Sequence, residues 1–245
     1  MNIWKKTNIK EIKISKINSD PFNNNIWKKK ISTKIKLNIK NLKKRNSKYF
    51  LTSSPLPLII LGLSKKKISI ADYGSGDQEV LFQLINNKID DKKIKIDSVE
   101  VPEITKLLKR NIKKKKYKNI EVNFLDSFNH NKKYDFVHIS DSLQYNLDWK
   151  NFLKKIIKKK PKFVILNNLT SGNFKTYITE QKFYDKKLPY IFFNENEVIK
   201  YFKNYRICRY LFLNRIKDEY QKYPQKNFKK KERLGYPKTL ILIRN

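Results

Sequence analysis

From residue 67 onward the apolar positions fall into short β-type runs separated by stretches with helical spacing. Residues 68–72 make a short β run ending at Asp72, followed by a Gly-Ser-Gly turn and a helix-like segment over 78–86. A second strand is predicted over 94–100, and Pro102 suits the first turn of a helix running to 112. Strands over 120–125 and 134–140, a helix over about 148–158 and a fifth strand over 163–166 follow. Asn194, with Glu197 three residues on, predicts a capped helix reaching 202. Residues 206–213 and 239–243 close the series as two strands with no helix-length apolar pattern between them.

Such alternation implies an α/β fold, a mainly parallel sheet covered by helices on both faces. Two last strands without an intervening helix predict an antiparallel hairpin at one edge. Ahead of this region, 49–63 carries an apolar run and two prolines and reads as a short helix on the edge of the core. Residues 1–48 are rich in Lys, Asn and Ile with weak periodicity, a basic extension that is partly helical or flexible. The expected division is therefore 1–48 as extension and 49–245 as one domain.

Composition changes this picture little. The formal charge of +35 invites a nucleic-acid partner, but the basic excess is 50 lysines against seven arginines. Asn and Ile are also abundant and Ala71 is the only alanine, a pattern that A/T-rich codons write. A chain built to read phosphates or bases would favour the bidentate fork of arginine. The lysines therefore read as codon drift on a solvated surface, and nucleic acid is the less favoured partner. The single cysteine, Cys208, makes no intramolecular disulfide. The first residues lack the apolar core of a secretory signal, and the longest apolar run, 55–63, is too short to span a bilayer. A soluble, cytoplasmic protein is expected.

The chemistry concentrates at strand ends. Asp72-Tyr73-Gly74-Ser75-Gly76 follows the first strand, and its glycines permit a tight turn against which a ligand can lie. The next helix offers its free N–H groups to a carboxylate or phosphate. Glu100 ends the second strand 24 residues after Gly76, close to the ~20 expected for an acid that accepts ribose hydroxyls. Asp126 ends the third, beside the place for an adenine amino group. A dinucleotide site would want a third glycine where Gln78 or Glu79 stands, and acids around the turn would repel a pyrophosphate. The same acids suit a sulfonium and an ammonium, so the spacing points to S-adenosylmethionine. The terminal hairpin agrees, since it separates the methyltransferase version of the doubly wound sheet from the dehydrogenase version.

Several pieces of the chain resemble a small family of S-adenosylmethionine-dependent methyltransferases found in bacterial surface-polysaccharide gene clusters, of the class I, Rossmann-like type. They are the stretch 47–63, Asp72-Tyr73-Gly74, Val99-Glu100-Val101-Pro102, Ser142-Leu143-Gln144-Tyr145, Thr179-Glu180-Gln181-Lys182 and the aromatic run 189–193. The resemblance runs from about Arg45 to the end. It implies methyl transfer onto a small-molecule or carbohydrate acceptor, such as a sugar or its nucleotide-linked precursor. Two departures stand out: Gln78 replaces a glycine of the family's turn, and Asn167-Asn168 stands where the family tends to show Asp-Arg.

The expected cofactor set is Asp72, Gly74, Ser75, Gly76, Glu100, Asp126, Ser140 and Gln144. Acceptor sites in this fold lie over the carboxyl ends of strands four and five. Asp141 there is the first candidate base, and Glu180, on what reads as a long loop over 169–193, the second. His138 lies within a strand and reads as a satisfied core histidine, while His130 reads as a solvated loop residue. Asp141 with Asn167 and Asn168 is similar to the oxygen set that holds Mg²⁺ in some O-methyltransferases, but one carboxylate is a poor hard-cation site and no metal is expected. The loops over 169–193 and 214–236 mix aromatics with lysines. An RNA methyltransferase, or a nucleoside-binding scaffold without turnover, are the alternatives on the same fold.

Overall fold

The computed structural model describes residues 4–7, 22, 24–43, 54–87, 89, 91–112, 117, 119–128, 131–184, 186–210, 227–234 and 237–245. The centre is a sheet of seven strands: β2 (Lys67–Tyr73), β3 (Lys93–Val99), β4 (Ile120–Leu125), β5 (Phe136–Ser140), β6 (Phe163–Leu169), β10 (Tyr205–Tyr210) and β11 (Lys238–Arg244). Their order is β10-β11-β6-β5-β2-β3-β4. The five strands from β2 to β6 pair in parallel, whereas β11 runs antiparallel to both β6 and β10. The order reverses between β2 and β5, so the carboxyl ends of those strands open a crevice. This is the mainly parallel Rossmann-like sheet with an antiparallel edge hairpin that the apolar pattern predicts.

Helices cover both faces because the strand residues alternate. On one face Ile68, Ile70, Ile94 and Ile96 meet α3 (Glu79–Asn86) and α4 (Pro102–Asn111) through Val80, Leu84, Ile104 and Leu108. Two further helices join that layer, α1 (Asn25–Lys43) through Ile31 and Ile35 and α2 (Leu56–Leu61) through Leu56 and Ile60. On the other face Val137, Ile139, Val164 and Leu166 pack on α5 (Trp149–Lys158), whose Phe152, Leu153 and Ile156 are buried. Helix α6 (Glu195–Ile199) and a following 3-10 turn bring Val198 and Phe202 to the same cluster. The Asn194 side chain accepts a hydrogen bond from the Glu197 N–H at 3.0 Å, the predicted cap. Asn194→Ala is expected to cost about 1 kcal/mol in denaturant unfolding.

One prediction needs correcting. Residues 169–193 are not a loop: β8 (Tyr177–Phe183) and β9 (Lys186–Asn194) form an antiparallel hairpin. The short β7 (Ser171–Gly172) joins β9, and β1 (Trp4–Thr7), from the N-terminal extension, pairs antiparallel with β8. Pro189, which argues against a strand, is paired only on the β8 side, because β7 meets β9 only at Phe193 and Asn194. Predicted elements over 206–213 and 49–63 extend beyond the described residues, as do the 48/49 boundary, His130 and most of 214–236. Tyr134, read as strand, instead precedes β5 and is buried. Among the described residues no helix is long and apolar enough to cross a membrane.

Candidate functional site

A cavity of about 1400 Å³ lies over the carboxyl ends of β2, β3, β4 and β5. Its floor is the turn between β2 and α3. Gly74 and Gly76 have φ of +69° and +47°, and Gln78 adopts +65°. A side chain at Gly74 would run into Ser142, so this glycine is required by both conformation and space. Gln78, the departure from the family's glycine, takes the left-handed backbone and fastens it. Its buried amide donates to Ser75 Oγ and to Ser98 Oγ, both at 2.7 Å.

Glu100, at the end of β3, reaches back to that turn. Its carboxylate accepts the Gly76 N–H at 2.5 Å and the Val101 N–H at 3.1 Å. Two backbone donors fix its orientation and leave it facing the cavity it lines. Burial, then the Glu100 charge, push the Tyr73 phenol up, so Tyr73 stays protonated beside it. Asp126 and Ser140 also line the cavity, as does Gln144, buried in the 3-10 turn Leu143–Tyr145. Asp72 lines the wall as well, but its Oδ1 is engaged by His138 Nδ1 at 2.8 Å, and His138 Nε2 meets Ser54 Oγ at 3.0 Å. Both ring nitrogens of His138 therefore have partners, as expected of a satisfied core histidine.

The two candidate bases both line the cavity, one from the end of β5 and one from the β8–β9 hairpin. Asp141 follows β5 with φ of +50°, and neighbouring Asn168, after a run of extended residues in β6, has φ of +52°. Asp and Asn tolerate this region better than most residues. Asn168 Nδ2 donates to Asp141 Oδ2 at 2.7 Å, while Asn167 is bound by Ser140 and Thr239. Asn168 thus gives Asp141, at the cavity wall, a neutral amide partner. Glu180 projects from β8, not from a loop, and pairs with Lys187 across the hairpin at 2.7 Å. Among the described residues no group of three or more His, Cys, Asp or Glu side chains is arranged to hold a metal ion.

Sequence reasoning did not place the N-terminal residues at this site. Trp4, Phe22, Trp27 and Lys34 line the cavity together with Phe183 and Tyr190 of the hairpin. Lys34 bonds Asp77, just beyond the glycine turn, at 3.0 Å. Burial opposes the Lys34 charge, but the Asp77 carboxylate, joined by Glu79 and Asp141, outweighs it and raises its pKa. The one available signal was aromatic residues recurring in an otherwise Lys- and Asn-rich segment.

No protein-family profile matches the sequence. No curated protein matches it either. Solved structures do. An S-adenosylmethionine-dependent methyltransferase from Clostridium acetobutylicum is 13% identical, with a TM-score of 0.48 over 82% of this chain and 92% of that one. A glycopeptide N-methyltransferase complexed with S-adenosylhomocysteine is 7% identical, with a TM-score of 0.46 over 77% and 87%. An amino pentose methyltransferase of Micromonospora echinaspora, with S-adenosylmethionine bound, is 8% identical, with a TM-score of 0.44 over 78% and 89%. These likenesses concern the general course of the chain and do not bear on individual residues.

Proposed function

We propose that this protein is an S-adenosylmethionine-dependent methyltransferase acting on a hydroxyl of a sugar or surface-polysaccharide precursor. The observation that carries the reading is the Glu100 carboxylate, clamped by the Gly76 and Val101 N–H groups at the mouth of the glycine turn. A carboxylate held there accepts ribose hydroxyls, and the eight-residue α3 presents its N-terminal N–H groups to an amino-acid carboxylate. Bound there, the cofactor supplies an electrophilic methyl group. Gly74, Ser75 and Gly76 would allow close backbone approach, and Gln144, Ser140 and Asp126, which line the same cavity, would contact the rest of the cofactor. Asp72 acts one step away by fixing His138 and the strand end. Asp141, held by Asn168, is the proposed general base for the acceptor hydroxyl, with Glu180 of the hairpin as the second candidate. Positioning and exclusion of water supply most of the acceleration in such an in-line displacement.

Calorimetric titration of S-adenosylmethionine into the wild type and Glu100→Ala tests this. Micromolar binding that weakens at least about tenfold in the variant is the expected result, one hydrogen-bonding carboxylate being worth that much. A folded wild type that gives no heat of binding overturns the reading. Binding without turnover on any hydroxylated acceptor would move it to a nucleoside-binding scaffold.

A further inference from the structure

The cavity reverses the charge of the molecule. The chain carries 57 lysines and arginines against 22 acids. Among the described residues that line the cavity there are eight acids, three lysines and no arginine. Two of those lysines, Lys34 and Lys187, are themselves paired with cavity acids, Asp77 and Glu180. Codon drift that scatters lysine over the whole surface does not account for a basin whose described lining holds more than twice as many acids as lysines. Five of the acids surround the glycine turn and the strand ends beside it. Asp141, Asp148 and Glu180 complete the acidic lining.

Two other features face the same space. Phe22, Trp27, Tyr145, Phe183 and Tyr190 form a wall of linked rings, with centroids 5.3 Å apart for Phe22–Tyr145, 5.5 Å for Trp27–Phe183 and 5.1 Å for Tyr145–Tyr190. Aromatic faces beside carboxylates attract cations. Gln181 Oε1, a hydrogen-bond acceptor on the lining hairpin, is buried with no partner among the described residues. An N–H or O–H donor on a ligand would satisfy it.

From these we infer that the acceptor is a hydroxylated amine, such as an amino sugar, whose portion inside the cavity bears no phosphate. The inference rests on the methyltransferase reading and narrows it. A sulfonium cofactor with an ammonium and a carboxylate adds one net positive charge, and a lining of eight acids against three lysines stays net acidic beside it, which suits a cationic acceptor. A nucleotide-linked sugar or an RNA phosphate would meet like charge in a site partly screened from water, where such repulsion is strong. The excess lysine outside the cavity then has no part in acceptor choice.

Two measurements test it separately from the cofactor. In the first, protein saturated with S-adenosylhomocysteine is titrated with glucosamine, glucose and glucose 1-phosphate. Glucosamine is expected to bind about tenfold more tightly than the other two, the effect of one favourable charge contact, and Glu180→Gln to shrink that preference. Equal affinities, or tighter binding of the phosphate, overturn the proposal. In the second, caesium and iodide quench tryptophan fluorescence in unliganded protein, where the half-buried Trp27 on the cavity wall is the accessible reporter while Trp4 and Trp149 are both buried. Caesium should outperform iodide despite the net positive charge, and Asp141→Asn with Glu180→Gln should reverse the order. Iodide winning in the wild type sinks the inference even if the cofactor binds. Failure of S-adenosylhomocysteine to bind, with caesium still preferred, would instead count against the cofactor reading alone.

Discussion

Gly74→Ala is expected to be the most damaging single substitution in the chain outside the central core. The residue has φ of +69°, where an L side chain costs about 1–2 kcal/mol. The added carbon would also collide with the Ser142 side chain, whose Oγ donates to the Tyr73 carbonyl at 3.1 Å. Forcing that contact apart costs about 1–3 kcal/mol more. The total, about 2–5 kcal/mol, should appear as a lower denaturant midpoint, accompanied by loss of S-adenosylmethionine binding. Gly76→Ala makes the informative comparison. Its φ is +47°, but the nearest atoms, Ile31 Cδ1 and the Gly74 carbonyl oxygen, stand 3.8 and 4.0 Å from the new carbon. It should lose only the backbone part. Gly62, at φ of −73°, should tolerate alanine with little change. Equal effects at Gly74 and Gly76 would mean that Ser142 yields and the steric argument fails.

The second large effect is expected far from the cavity. Asp97 on β3 is 2% exposed, and its carboxylate accepts from Asn123 at 3.0 Å, Lys132 at 2.7 Å and Tyr134 at 2.6 Å. Burial alone would raise the Asp97 carboxyl, but hydrogen bonds from Lys132, Tyr134 and Asn123 outweigh it and hold it below the usual range. Burial and the Asp97 charge together push the Tyr134 phenol far up, so that it remains a donor. Asp97→Ala leaves these donors facing an apolar hole and should cost about 2–4 kcal/mol. The sign of the pH effect follows from the lowered carboxyl. Its stabilisation is complete above the unfolded value near 3.9 and disappears as pH falls through the lower folded value. Wild type should therefore lose stability steeply on acidification below about pH 4, and Asp97→Asn should lose less over the same window. The corresponding contribution of Glu195, which burial opposes but Lys238 and Arg209 lower, should persist in both. Cofactor affinity of the folded variant should be unchanged, because Asp97 does not line the cavity.

The parallel half of the sheet was legible because β5 and β6 are buried almost throughout, β2 and β3 over most of their length, and β4 alternates, and all read as short apolar runs closed by turn residues. Ile120–Leu125 matches its predicted bounds, and Lys67–Tyr73 and Lys93–Val99 differ by a residue at their ends. The Glu100 spacing was legible for a covalent reason: strand, turn and helix lengths in a βαβ unit fix how far apart the two strand ends fall. The β8–β9 hairpin was not, since one face of it looks onto the cavity. Lys182, Lys186 and Lys187 break its alternation and Pro189 mimics a loop signal. The contribution of Trp4, Phe22 and Trp27 was hidden for a different reason. Residues that wall a cavity jointly with a distant hairpin obey no local period, and only the β1–β8 pairing reveals their place.

That pairing also orders events in time. Trp4–Thr7 is synthesised before any strand of the central sheet, yet its register partners, Ile178 to Gln181, are made only after five of that sheet's seven strands, β2 to β6. Contacts so remote in sequence form late, because the loop between them must first be closed. During synthesis the growing chain can therefore assemble the glycine-turn floor before the hairpin part of the aromatic wall exists. That wall is closed by a segment made long before the hairpin it pairs with.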